Sequence, residues 1–142
     1  MKACLYALVL FGLLAGPASA HEMRPGYLEI TELTAATYNV LWKVPMRGNL
    51  RLRLDPVFPD TCTEAVPAAV HSSGGARVSR WTIRCEQGLA DQRIEISGLI
   101  NTLTDVLVRV QHLDGAVQTT RIVPADASFI VEAVPSRLAL SM

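Results

Sequence analysis

The sequence predicts an all-β domain: an antiparallel β-sandwich, immunoglobulin-like, with about seven or eight short strands. Two observations carry that expectation. Apolar residues in the body of the chain recur with period two, and turn-forming residues punctuate the runs at near-regular spacing. A third observation sets the compartment. The chain opens on an apolar leader too short to span a bilayer comfortably, which takes about 20 apolar residues.

The leader comes first. Lys2 supplies a positive start, residues 5–14 are an unbroken run of apolar and small residues, and Gly16-Pro17 breaks any helix. Ala18-Ser19-Ala20 then matches the small-x-small pattern of a signal-peptidase site. Residues 1–20 therefore read as a signal peptide, 21–135 as an extracytoplasmic domain and 136–142 as a tail. The formal net charge is zero, and losing Lys2 with the leader leaves about −1. That balance gives no reason to expect a nucleic-acid partner.

Export simplifies the cysteines. Cys4 leaves with the leader, so Cys62 and Cys85 remain, and an even count bound for an oxidising compartment predicts one disulfide. It would stabilise the fold by roughly 3 kcal/mol in the chain-entropy model. Two free thiols or a soft-metal pair are the alternatives; the wide separation and the lack of neighbouring ligands disfavour metal.

The strand pattern follows in order. Tyr38, Val40, Trp42 and Val44 alternate with Asn39, Leu41 and Lys43, and Leu50, Leu52 and Leu54 alternate with Arg51 and Arg53. Trp81, Ile83 and Cys85 form a third inward set, Ile94 and Ile96 a fourth, and Val106, Val108 and Val110 a fifth. Gly48-Asn49 should join two neighbouring strands, and Asp114-Gly115 reads as a two-residue type I′ turn. Ser72-Ser73-Gly74-Gly75 reads as a flexible loop in an irregular stretch, and residues 63–71 as a weak helical turn interrupted by Pro67. Trp42 and Trp81 are expected in the core, one from each sheet. The disulfide should tie the loop after Asp55-Pro56 to the strand ending at Cys85.

An ordered series of segments carries a resemblance. It runs from His21-Glu22-Met23-Arg24-Pro25-Gly26-Tyr27-Leu28-Glu29 through Tyr38-Asn39-Val40-Leu41-Trp42-Lys43-Val44-Pro45 to Leu50-Arg51-Leu52-Arg53-Leu54-Asp55-Pro56. Gly98-Leu99 and Thr104-Asp105-Val106-Leu107-Val108-Arg109-Val110 complete it. The series resembles the extracytoplasmic N-terminal domain of HupE/UreJ-like membrane proteins, relatives of nickel or cobalt permeases. The resemblance implies a non-catalytic docking or accessory module beside a membrane-protein partner or a membrane-helix region. Membrane helices bearing His and Asp are missing from this chain, so it implies no transport here. A shortened relative, the first half of a split protein and a stand-alone domain all fit.

The residues also suggest chemistry directly. Cleavage after Ala20 leaves His21 with a free amine and an imidazole, a pair suited to Cu(II), with His71, His112 or Met23 as the further donors. Cleavage after Ala18 makes His21 the third residue, which suits square-planar Cu(II) or Ni(II). The competing reading is a periplasmic copper- or nickel-binding protein on those three histidines; the plainer one is a frayed terminus, a solvated His71 and a core-edge His112. No other cofactor and no small-molecule substrate is implied. No nucleophile elbow or phosphate loop appears, and the chain is not expected to be an enzyme. Arg51, Arg53, Lys43 and Arg47, with Arg80 and Arg84 elsewhere, could form a basic patch for a membrane surface or an acidic partner. The plainer reading is a solvated face balanced by Glu29, Glu32 and Glu95.

Overall fold

A computed structural model of the chain describes residues 24–134. The leader, His21 and the tail lie outside the described residues. Within them the chain folds as a β-sandwich of ten strands and a single 3₁₀ turn, Leu99–Asn101. The strands are β1 (Gly26–Glu32), β2 (Thr37–Arg47), β3 (Leu50–Arg51), β4 (Asp55–Val57) and β5 (Cys62–Ser73). They continue as β6 (Ala76–Cys85), β7 (Arg93–Ser97), β8 (Val106–Gln111), β9 (Val117–Ile122) and β10 (Ser128–Ile130).

One sheet has seven strands in the order β5-β6-β2-β1-β8-β9, with β3 paired to the end of β2. The other runs β10-β7-β4. Pairing is antiparallel except between β1 and β8, which run parallel because the chain visits the small sheet before returning. Alternation decides the core. Leu28 and Ile30 of β1, Tyr38 to Val44 at every second position of β2, and Val106, Val108 and Val110 of β8 are buried against Ile94, Ile96 and Phe129 of the small sheet. Each full burial of this kind contributes roughly 1.5–3 kcal/mol.

Several local expectations are corrected. Leu50, Leu52 and Leu54 do not share a strand face: Leu50 is 77 % exposed and Leu54 fully buried. The chain leaves the large sheet after Arg51 and crosses to the small one; on the way Leu54 is buried and its carbonyl accepts the Trp42 indole N–H. The helical turn over residues 63–71 is instead part of β5, and no irregular stretch follows Cys62. Its side chains are almost all exposed, so no face dictated a period; pairing with β6 decides it, and bulges around Val66 accommodate Pro67.

The turns change places as well. Ser73 pairs with Ala76, leaving Gly74-Gly75 as a two-residue hairpin turn with both φ positive, at 57° and 75°, as type I′ requires. At Asp114-Gly115 the loop has three residues. The Gly115 N–H donates to the His112 carbonyl, the His112 N–H donates to Ala116, and only Gly115 has positive φ. Asp114 caps that loop by accepting from the Ala116 N–H. The Gly48-Asn49 turn joins β2 to β3 as expected.

The disulfide Cys62–Cys85 is formed. Cys62 opens β5 rather than lying in a loop, and faces Cys85 directly across the β5–β6 pair, so the bond lies within one sheet. Trp42 and Trp81 likewise both belong to the large sheet; it is Phe58, beyond β4, that meets Trp81 edge-to-face at 6.4 Å. Gln118 is a buried polar residue that sequence pattern had not singled out. Its amide donates to the Ile130 carbonyl and accepts from the Glu132 N–H, stitching edge strand β9 to the end of β10 and the residues that follow it.

Candidate docking surface

The strand directions give the sandwich two distinct ends. At one, β2 finishes, β3 pairs, β1 and β8 begin, and the Gly74-Gly75 tip closes the β5–β6 hairpin. The segment between β7 and β8 belongs to the same end, because Gly98 packs directly on the Arg53 carbonyl and the Gly26 N–H donates to Asp105. Here stand Arg24, Arg47, Arg51, Arg53 and Arg77, none of them in an ion pair among the described residues, beside two carboxylates: exposed Asp55, which opens β4, and Asp105, which is paired with Arg121. The Arg24 guanidinium donates to the Gly74 carbonyl at 2.9 Å, tying the start of the described chain to the hairpin tip.

The three most exposed large apolar side chains among the described residues share this end: Leu103 at 80 %, Leu50 at 77 % and Ile100 at 71 %. Leu50 follows the two-residue turn after Arg47. Ile100 and Leu103 project from a loop held by its own hydrogen bonds. The Thr102 hydroxyl donates to the Leu99 carbonyl and accepts from the Thr104 N–H, and Thr104 is buried while Leu103 is not. The loop inverts the usual preference, with the polar residue inside and the apolar one outside.

The opposite end is acidic. Glu32, Asp60, Glu86, Asp91, Asp114 and Glu132 stand at this end, and Glu32, Asp114 and Glu132 line a hollow of about 250 Å³ together with Tyr38, Leu89, Val131 and His112. His112 Nδ1 lies 3.8 Å from the Glu32 carboxylate, which also accepts the Leu113 N–H. The imidazole sits at the core edge as the inward phase predicts, with a carboxylate rather than a main-chain group as its side-chain neighbour.

The candidate residues are therefore dispersed. His71 is exposed on edge strand β5, and three strands, β6, β2 and β1, separate it from β8, which leads into His112. The two imidazoles do not converge, and no group of three or more His, Cys, Asp or Glu side chains among the described residues is placed to hold a metal ion. His21 lies outside the described residues. The basic set divides: Arg47, Arg51 and Arg53 gather at one end, Lys43 and Arg80 lie on the outer face of the large sheet, and Arg84 pairs with Glu86 at the other end.

The expected neutralising acids are elsewhere. Glu29 accepts the Tyr27 hydroxyl at 2.6 Å and faces Arg109, Glu32 turns to His112, and Glu95 points outward from the small sheet. Burial first, and then the bond to Glu29, push the Tyr27 hydroxyl pKa up to about 12.

No known family model matches this chain, and no curated protein matches it. Arg24, Arg77, Ile100 and Leu103 were not legible as parts of a surface from sequence. Leu50 read as a core residue. The available signal was the Gly48-Asn49 turn, which places Leu50 immediately outside a tight hairpin, where no opposing sheet can cover it.

Proposed function

We propose that this domain is a non-catalytic extracytoplasmic docking module, periplasmic in setting and brought out by its leader. The ordered series resembling the N-terminal domain of HupE/UreJ-like membrane proteins supports that context. The disulfide fits an oxidising compartment, and no helix among the described residues is long and apolar enough to cross a membrane. The observation that carries the reading is the imbalance of charge: five unpaired arginines with exposed Leu50, Ile100 and Leu103 outweigh Asp55 and the Arg121-paired Asp105 at one end, and carboxylates prevail at the other. Such a distribution orients a protein on its partner before contact.

The test is residue-specific photocrosslinking in intact cells. A photoreactive side chain at Leu50 or Ile100 should trap an envelope component, and one at Leu113, at the acidic end, should not. Equal or absent capture at all three positions would overturn the reading.

A further inference from the structure

We infer that the basic end docks on an anionic lipid surface, an inference that rests on the docking reading and names its partner. Three features of this end converge. Arg24, Arg47, Arg51, Arg53 and Arg77 have no carboxylate partner among the described residues, so their charge is available to phosphate groups. Near an anionic leaflet each such residue is worth roughly a fivefold gain in affinity. Leu50, Ile100 and Leu103 stand among them as separate aliphatic prongs rather than as a continuous patch.

That composition suits lipid better than protein. Protein interfaces are enriched in arginine, but they pair it with aromatic residues at a continuous buried centre. Here cations alternate with Leu and Ile, and no aromatic side chain is among the exposed large apolar residues of the described chain. A headgroup layer accepts such a mixture: arginines stay with the phosphates while short aliphatic side chains enter the acyl boundary. The prongs are also presented by ordered backbone. Leu50 follows a two-residue hairpin turn, and the Ile100–Leu103 loop is fixed by Thr102 and the buried Thr104, so binding orders little new chain.

The opposite end completes the geometry. Glu32, Asp60, Glu86, Asp91, Asp114 and Glu132 would be repelled by the same surface, so one orientation is selected. The basic end faces the lipid, and His112, Leu113 and the acidic hollow face away.

Co-sedimentation of the protein as recovered from expressing cells, its N-terminus read by intact mass, tests this. The vesicles are phosphatidylglycerol mixed with phosphatidylcholine, against phosphatidylcholine alone. The protein should pellet with the first and stay in solution with the second. Arg47→Glu with Arg51→Glu should weaken that binding roughly tenfold or more. Leu50→Ser with Leu103→Ser should keep low-salt binding and lose the fraction that survives high salt, whereas Leu113→Ser should match the parent. All these side chains are exposed, so circular dichroism should show every variant folded.

Equal binding to both vesicles, no binding to the anionic ones, or a charge-reversed variant that binds like the parent would overturn the inference. If vesicle binding fails while position 50 still crosslinks to a protein, the lipid assignment falls and the docking reading stands. If both fail, both fall.

Discussion

The indole N–H of Trp42 donates to the main-chain carbonyl of Leu54 at 3.0 Å, across the point where the chain leaves one sheet for the other. Both groups are buried, so this bond fixes where β3 ends and how β4 starts. Trp42→Phe keeps an aromatic ring but leaves the Leu54 carbonyl without its donor. The expected cost is about 1–3 kcal/mol, read as a lower urea midpoint with an unchanged slope. An unchanged midpoint would show that the crossover is held by packing alone.

The Cys62–Cys85 bond closes a loop with a sequence separation of 23, and its removal should cost roughly 3 kcal/mol in the chain-entropy model. The loss should be uneven. Side chains of β5 are nearly all exposed, so that strand rests on its pairing with β6 and on the disulfide at its root. Hydrogen exchange after reduction should quicken first in β5, while β1, β2 and β8 stay protected. Uniform loss of protection would contradict this.

Two glycines separate crowding from backbone strain. Gly115 has φ of 93° with open space around it, so Gly115→Ala should cost only the left-handed penalty of roughly 1–2 kcal/mol. Gly98 has φ of 85°, and a Cβ there would collide with the Arg53 carbonyl. Gly98→Ala should lower the melting temperature clearly more than Gly115→Ala does. Equal shifts would mean that the segment between β7 and β8 yields freely.

Alkaline pH should weaken the fold through Tyr27. Burial and the bond to Glu29 raise its folded pKa from 10.0 to about 12, so the folded state holds that proton more tightly than the unfolded one. The contribution is complete below the unfolded value and is lost as pH rises from 10.0 through about 12. Burial shifts Tyr38 in the same direction, offset in part by the Leu89 N–H that its oxygen accepts. Phenolate absorbance should therefore rise late, and Tyr27→Phe should flatten the fall in stability over that range. A variant with the parent's pH profile would count against the assignment.

The all-β architecture and most of the core were legible because alternation along a strand is a local property. Val106, Val108 and Val110 point inward whatever they meet, and so do Ile94 and Ile96. The cysteine pair was legible from the count of cysteines and from the compartment that the leader led us to expect. Residues 63–71 were not, because an exposed edge strand carries no burial pattern from which to read a period.

The sequence by itself determined that this chain alternates, turns and crosslinks, since those properties depend on neighbours a few residues apart. Only the tertiary structure decided that Leu50 is exposed while Leu54 is buried, because that follows from where the chain changes sheets. The same holds for the two ends. Arg24, Arg51 and Arg77 are distant in sequence and share an end only because β1, β3 and the β5–β6 hairpin all meet there. An imbalance of charge between two ends is a long-range property, and residue spacing along one chain does not encode it.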